Sequence, residues 1–234
     1  MSDHLPYNSP PVEPSIGIGV LHLFGKLGPT ADPQAIAAAA NEAEAEGVQV
    51  VAVAVLGHKA DLAFMVLHAD LWRLRDFQTA VRRGGLDIVD SYVSLTEMSE
   101  YAAGLPEETK QARLYPQLPP EGKPAWCFYP MSKRRNPEQN WYELSFERRR
   151  ELMYEHGASG RKFAGRVVQL ITGSTGIDDY EWGVTLFCEH PDDLKEVVYT
   201  MRYDEASARY AEFGPFYVGM VAPVERVANR LMGQ

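Results

Sequence analysis

Several features that mark common protein classes are scarce or missing in this sequence. Its 234 residues include only two cysteines, Cys127 and Cys188, which lie in separate apolar runs without a CxxC-like neighbour. This arrangement favours reduced thiols in a reducing cytoplasm over a disulfide or a zinc site. No apolar run approaches the roughly 18 residues that span a membrane, and the N-terminus lacks the charged-then-apolar pattern of a signal peptide. We therefore expect a soluble cytoplasmic protein.

Basic residues and nucleotide-binding motifs are scarce as well. Lysine and arginine number 23 against 32 acidic residues, and the resulting net charge of −9 argues against nucleic acid and anionic membranes as partners. The sequence has no GxGxxG after a strand, no GxxxxGK[ST], no GxSxG and no HExxH. Nucleotide binding, acyl transfer and zinc-dependent hydrolysis therefore have no support. The 19 glycines and 16 prolines are too few for a disordered chain.

The apolar pattern predicts the element order strand–helix–strand–strand–helix–strand twice, which is the order of a ferredoxin-like unit. The predicted strands are 15–24, 48–56, 62–68 and 87–101 in the first half, and 125–131, 167–172, 182–188 and 213–221 in the second. The predicted helices are 32–47, 71–81, 145–165 with an interruption near Gly157, 192–209 and 223–232. The fold class is therefore α+β with duplicated ferredoxin-like halves, and an unrelated α+β fold remains the alternative because the halves do not align by identity.

Proline content suggests the domain boundaries. Residues 1–14 contain four prolines and are predicted to form an extended arm, and the proline-rich residues 105–124 are predicted to be a linker. The predicted halves are then residues 15–104 and 125–234. Pro130 is expected to stop the strand that begins at Ala125, which would leave Tyr129 as its last residue.

Few of the histidines are candidates for a catalytic or metal-binding role. His4 lies in the arm, His190 lies in a short turn, and three further histidines in or beside strands are expected to be structural: His22, His58 and His68. His156 differs because it follows a strongly charged helical stretch and precedes Gly157. A histidine there either caps the helix carbonyls or binds a haem iron, which needs only one protein ligand when the porphyrin supplies four.

Two further clusters are candidates for binding. The apolar strand that contains Tyr129 runs into Lys133, Arg134 and Arg135, so a phenol would lie beside an apolar floor with a positive rim. Such a site suits a planar ligand with several carboxylates, although a solvated basic loop explains the pattern equally well. The second cluster, residues 201–216, passes from a helix through a Gly-Pro corner into a strand. Its simplest interpretation is a helix with i,i+4 pairing such as Glu205 with Arg209.

Several of these segments together resemble the chlorite dismutase family, and within it the peroxide-dependent coproheme decarboxylases. In the second half the resemblance rests on residues 129–135, 153–166, 169–176, 181–183 and 201–216. In the first half it is looser and rests on residues 57–61 and 91–94. The resemblance implies two ferredoxin-like halves joined in one unit of the dimeric α/β-barrel type, with the haem in the second half. It also implies a homo-oligomer, usually a homopentamer.

The resemblance further implies a site and a reaction. His156 matches the iron ligand, and Tyr129 and Lys133 match the catalytic residues. Residues that match positions binding Fe-coproporphyrin III (coproheme) or haem b are Arg113, Tyr129, Pro130, Met131, Ser132, Lys133, Gln169, Arg202 and Ser207. The implied reaction uses hydrogen peroxide and a tyrosyl radical at Tyr129 to decarboxylate two propionates of coproheme, which gives haem b.

The residue type at the position of Gln169 distinguishes the members of the family. Chlorite-degrading enzymes carry an arginine thirteen residues after the iron ligand, whereas this sequence has Gln169 there. A neutral amide holds an anionic hypochlorite less firmly than a guanidinium does. No histidine lies between His68 and His156, so the sequence offers no distal histidine as a base. Two alternatives remain open, namely a haem carrier or sensor without catalysis, which would not need Tyr129, and a chlorite dismutase, which Gln169 disfavours.

Overall fold

The computed structural model describes residues 10–102 and 104–231. Most of the predicted arm, including His4, and the end of the last predicted helix lie outside these residues. Residues 10–14, the described part of the arm, are in neither helix nor strand. Within the described chain, no helix combines the length and the apolar character that a membrane span requires.

The described chain contains both strands and helices throughout its length. The strands are β1 (Gly19–Leu27), β2 (Gln49–Val55), β3 (Leu62–His68), β4 (Leu86–Thr96), β5 (Ala125–Lys133), β6 (Arg135–Asn136), β7 (Gln139–Asn140), β8 (Val167–Gly173), β9 (Trp182–Cys188), β10 (Ala211–Phe213) and β11 (Tyr217–Val221). The helices are α1 (Pro33–Ala45), α2 (Leu71–Arg83), α3 (Glu107–Leu114), α4 (Phe146–Arg161), α5 (Pro191–Met201), α6 (Glu205–Ala208) and α7 (Val224–Leu231).

Eight of these strands close into an antiparallel barrel. The first half contributes the order β2-β3-β1-β4, and the second half contributes β8-β9-β5-β11. Pairing of β4 with β8 and of β11 with β2 joins the halves at both seams. Numbered within its own half, each set of four strands has the same spatial order, 4-1-3-2. This shared order confirms the predicted α+β fold with ferredoxin-like halves.

Side-chain alternation along the strands creates one core inside the barrel and others outside it. The interior is rich in aromatic residues, among them Phe24, Trp126 and Phe128. The outer face of the four first-half strands is covered by α1 and α2 and by α7 from the second half. In the second half, the outward residues Cys127, Tyr129 and Leu186 pack with side chains of α5. The second half thus places Tyr129 between the sheet and its outer layer of helices.

The sequence predicted that Pro130 would end strand β5. This prediction is wrong, because the strand continues to Lys133. The reason lies on its edge next to β10 and β11. β11 pairs with residues 125–128 of β5 and β10 pairs with residues 131–133, so neither needs an N–H group from Pro130. The Pro130 carbonyl still accepts a hydrogen bond from the Gly214 N–H at 2.8 Å. The predicted single strand 213–221 is therefore wrong, because the chain leaves the sheet between β10 and β11.

Three predictions about helices and the linker also require correction. Helix α4 runs through Gly157 without interruption to Arg161, and the buried Leu152 fixes it to a cluster with Ala206. The predicted helix 192–209 ends at Met201, and Asp204 caps the separate helix α6 by accepting from the Ser207 N–H. The proline-rich residues 105–124 include helix α3, which the sequence did not predict.

Candidate functional site

Tyr129 lies on the outer face of β5 with its ring enclosed by aromatic residues. Its ring stacks on Phe216, with 4.4 Å between the centroids, and meets Phe213 edge-on at 5.6 Å. Only 7% of Tyr129 is exposed. Burial raises the pKa of this phenol well above its usual value of 10, and the nearby Arg202 only partly offsets that effect. The phenol therefore stays protonated at neutral pH.

The register of β5 with β9, and of β9 with β8, shows which residues of β8 share the outer sheet face with Tyr129. Val184 of β9 pairs with both Tyr129 and Ile171, and Leu186 pairs with both Cys127 and Gln169. Because side chains alternate along each strand, all of these residues lie on one outer face. At β8 this face is open, since Gln169 is exposed and Ile171 is 43% exposed. The accessible part of this face, with its neutral amide, thus lies two strands from Tyr129, across the buried Val184 and Leu186 of β9.

His156 lies on α4 and is held by two groups near α6. Its Nδ1 atom is 3.0 Å from Oδ2 of Asp204 and 3.3 Å from Oγ of Ser207. Burial alone would raise the pKa of Asp204, but the hydrogen bonds from His156 and Ser207 outweigh it and lower the pKa. An ionised carboxylate here favours a proton on Nδ1, which leaves the Nε2 lone pair available to a metal. The His156 side chain is 23% exposed and Asp204 only 1%.

Lys133 is only 8% exposed and therefore does not form the solvated rim that the sequence suggested. Its Nζ atom donates to the Ala206 carbonyl at 2.9 Å and lies 4.2 Å from the centroid of the Trp141 ring. Burial lowers the pKa of Lys133 to about 8, although Asp204 and Glu181 act in the opposite direction. Lys133 therefore carries an ammonium charge at pH 7 and loses it within a mildly alkaline range.

The short helix α6 connects Lys133 with His156. The Ala206 carbonyl accepts from Lys133, whereas the neighbouring Ser207 and the capping Asp204 contact His156. The Ser207 backbone N–H also donates to Oδ1 of Asp204 at 2.9 Å. The structure thus brings together Lys133, His156 and Ser207, which are far apart in the sequence.

The other residues selected from the sequence lie in different positions. The Arg202 guanidinium lies 5.5 Å from the centroid of Phe213, next to the Tyr129 ring. Met131 packs on the same outer face as Tyr129. Alternation places Pro130 and Ser132 on the opposite face, and the Ser132 hydroxyl accepts from the Glu181 N–H at 3.2 Å.

Arg113 lies apart from the Tyr129 and His156 side chains. It is exposed on α3, whose last carbonyl, that of Leu114, accepts from Thr96 at the end of β4. Among the described residues, no recorded contact joins Arg113 to this site.

The sequence assigned no role to three residues that shape the site, although two of them, Glu181 and Asp204, lie in segments that carry the resemblance. Asp204 could have been found as a helix cap, because an aspartate followed by Glu-Ala-Ser is a typical start of a helix. Glu181 accepts from the Lys133 N–H at 2.7 Å and from the Tyr142 hydroxyl at 2.6 Å. Its long-range partners leave no local signal, and neither does the contact of Trp141 with Lys133.

The donor groups fit an iron carried by a macrocycle better than a free metal ion. Within the described chain, no group of three or more His, Cys, Asp or Glu side chains could hold a metal. Cys127 and Cys188 are buried free thiols, and burial raises the pKa of each to about 12. A single histidine with one ring nitrogen fixed by a carboxylate meets the protein's share of haem ligation.

Among the cavities in the part of the chain that the structure describes, two border helices. A cleft of about 330 Å³ between α4 and α5 reaches Asp204 from the side of Tyr199 and Tyr203. A larger cavity of about 570 Å³ lies in the first half between α1, β2 and residues 119–124, and contains none of the selected residues. The chemistry of the side chains therefore identifies the site better than cavity size does.

Comparison with known proteins assigns the family. The sequence pattern of the chlorite dismutase family matches residues 31–222, which is most of the chain. The chain belongs to the chlorite dismutase family. A relative from Staphylococcus carnosus, named coproheme decarboxylase, is 49% identical over 183 residues, which cover 73% of this chain and 72% of the relative.

Two further proteins are similar over most of the chain. A coproheme decarboxylase from Staphylococcus saprophyticus is 45% identical over 187 residues, with 75% of this chain and 74% of the relative covered. The solved structure of a heme-binding protein from Thermus thermophilus is 36% identical and has a TM-score of 0.82. The match covers 96% of this chain and 98% of that structure.

Proposed function

We propose that this protein decarboxylates two propionates of coproheme with hydrogen peroxide and so produces haem b. The relatives named coproheme decarboxylase support this activity over most of the chain. The observation that carries the proposal is the position of Tyr129. This buried, protonated phenol lies on the same sheet face as the accessible floor around Gln169 and Ile171. A protein that only carried haem would not need a phenol at that place.

His156 would hold the iron of the substrate in the second half, residues 125–234. Its Nε2 atom is the free ring nitrogen, because Asp204 holds Nδ1 at 3.0 Å. Such a carboxylate fixes the tautomer and the orientation of the ring and makes the ligand more basic. When bound, the iron would reduce the peroxide. The protein would hold the substrate in place and provide the proton donors.

Tyr129 would remove hydrogen from the propionate. A phenol can give up an electron and a proton together, so its radical can take a hydrogen atom from the β-carbon. Loss of carbon dioxide and of one more electron then leaves a vinyl group. For each propionate carboxylate, one peroxide and one proton are consumed, and one vinyl group, one carbon dioxide and two waters are formed.

Cationic and hydroxyl groups would recognise the propionates. Lys133 would pair with a carboxylate and return protons, and Arg202 would add a second cation beside Tyr129. Further contacts are proposed for Arg113, Pro130, Met131, Ser132, Gln169 and Ser207. Coproheme has four carboxylates and haem b has two, so charge-assisted hydrogen bonds are a natural source of specificity.

The proposal also includes the cellular compartment, the class of partner and the assembly. The two buried thiols are compatible with a reducing cytoplasm, and the net charge of −9 is compatible with a small-molecule substrate rather than nucleic acid or a membrane. We propose a homopentamer as the assembly. Light scattering at micromolar concentration should give five times the chain mass of 26.2 kDa, and a monomer mass would count against it.

The decisive experiment is mass spectrometry of coproheme that is incubated with the protein and titrated with peroxide. With the parent protein, each coproheme should lose two carboxylates as carbon dioxide. Tyr129→Phe keeps the volume and apolarity of the side chain, so coproheme affinity should stay within about tenfold, since one hydrogen bond contributes about 1 kcal/mol. Conversion by this variant should fall to near zero. Conversion close to the parent rate would show that Tyr129 is only a pocket residue.

A further inference from the structure

The Tyr129 ring is enclosed by a segment that the proposed reaction leaves without a role. Phe216 stacks on it at a centroid distance of 4.4 Å and an interplanar angle of 23°. Phe213 meets it at 67°, and its own ring lies beneath the Arg202 guanidinium. Phe213 is the last residue of β10 and Phe216 lies in the short connection to β11, so one continuous segment contacts the phenol from two directions.

This segment is fixed to the strand that carries Tyr129. The Gly214 N–H donates to the carbonyl of Pro130, the residue that follows Tyr129. A Cβ atom at Gly214 would come within 2.7 Å of Pro130 and of the Tyr180 ring, so only glycine permits this close approach. Since β10 and β11 both pair with β5, the connection is anchored on either side. Phe216 therefore has a defined place against Tyr129.

We propose that Phe216 is a positioning residue, which holds the Tyr129 ring in the one orientation that directs its oxygen to the propionate. The proposal rests on the proposed role of Tyr129. A ring in near-parallel contact must displace its neighbour in order to turn about its own axis or tilt. Misplacement of a reacting group by about 1 Å can reduce a rate about 100-fold, so this restraint bears directly on turnover.

The test compares three substitutions. Phe216→Leu removes the stacked ring but keeps an apolar side chain at a half-buried position. Phe216→Tyr retains the ring and should rescue the function. Phe146→Leu is the matched control, because Phe146 is an exposed phenylalanine that stacks on Tyr101 rather than on Tyr129.

Two measurements separate positioning from a general structural role. In ligand-free protein, 3-fluorotyrosine incorporated at position 129 gives a ¹⁹F resonance that senses the ring current of Phe216 and the rate of ring flips. Phe216→Leu should shift this resonance and change its width, whereas Phe216→Tyr and Phe146→Leu should not. In the coproheme reaction, Phe216→Leu should lower kcat at least tenfold while the Kd for coproheme stays within threefold.

The outcomes also separate this inference from the proposed function. If the parent protein does not convert coproheme, the proposed function fails, whereas the ¹⁹F comparison still tests whether Phe216 positions the Tyr129 ring. If the parent is active and Tyr129→Phe is equally active, the role of Tyr129 is wrong and the positioning role of Phe216 is wrong with it. If Tyr129→Phe is inactive but Phe216→Leu keeps both the parent ¹⁹F resonance and a kcat within twofold of Phe146→Leu, the positioning role is wrong. A parallel loss of coproheme affinity and kcat would likewise overturn it, because Phe216 would then act in binding.

Discussion

Lys133 provides a sharp test of the site because its side chain is buried and its charge changes with pH. Its Nζ atom donates to the Ala206 carbonyl at 2.9 Å and lies 4.2 Å from the Trp141 ring. Burial lowers its pKa to about 8. If the ammonium group draws a propionate carboxylate to Tyr129, productive binding must weaken when that group loses its proton.

The size of the effect follows from the pKa. With a pKa of about 8, roughly 90% of Lys133 is protonated at pH 7 and roughly 10% at pH 9. The value of kcat/KM, which reports the free enzyme, should therefore fall about tenfold across this range. Lys133→Arg retains its charge throughout, so its profile should lack the inflection near pH 8. Lys133→Met should give a low profile that also lacks this inflection.

The assay is conversion of coproheme at a fixed peroxide concentration, followed chromatographically between pH 6.5 and 9.5. A parent profile without an inflection near pH 8 would contradict the argument. So would an inflection of the same size in Lys133→Met, because another group would then be titrating. Coproheme binding measured at the same pH values provides the control for losses of the complex.

Three further predictions concern the histidines and Gln169. His156→Ala should abolish the histidine-ligated haem spectrum or weaken coproheme retention strongly, and an unchanged spectrum would place the ligand elsewhere. Gln169 should make the protein a poor chlorite enzyme, so oxygen release from chlorite at the rate of the peroxide reaction would refute the role of its neutral amide. His22 is fully buried with Nε2 3.0 Å from the Thr185 hydroxyl, and burial lowers its pKa to about 3. Because the unfolded chain binds a proton near pH 6.5, this group should remove about 1.4 kcal/mol of stability between pH 7.5 and 5.5; urea titrations of the parent and His22→Phe should differ in pH dependence by that amount.

Local sequence signals predicted the elements that local contacts determine. Asp32-Pro33 marks the start of α1, where the Asp32 carboxylate accepts from the N–H groups of Gln34 and Ala35. The valine-rich run of β2 and the apolar run of β3 lie where the sequence predicted strands, and the two strands pair antiparallel. Duplicated element order was also sufficient to predict the ferredoxin-like halves, because each half repeats these local patterns.

Long-range contacts override local signals where the predictions failed. Pro130 usually ends a strand, but here the partner strand divides around it and Gly214 satisfies its carbonyl. Gly157 weakens a helix by about 1 kcal/mol, which the packing of α4 through Leu152 outweighs. The lysine next to the basic loop looked solvated, and only the folded chain shows the Trp141 ring and the Ala206 carbonyl that enclose it.

The position of α6 makes the two chemical parts of the site dependent on each other. A helix of four residues is not stable by itself, so its conformation depends on the Asp204 cap and on its side-chain contacts. Those contacts lead to His156 on one side and to Lys133 on the other. A carboxylate that engages Lys133 would compete with the Ala206 carbonyl and would therefore act on the segment that orients His156. Substitutions at Lys133 and His156 share this segment, so their effects on coproheme binding should not add.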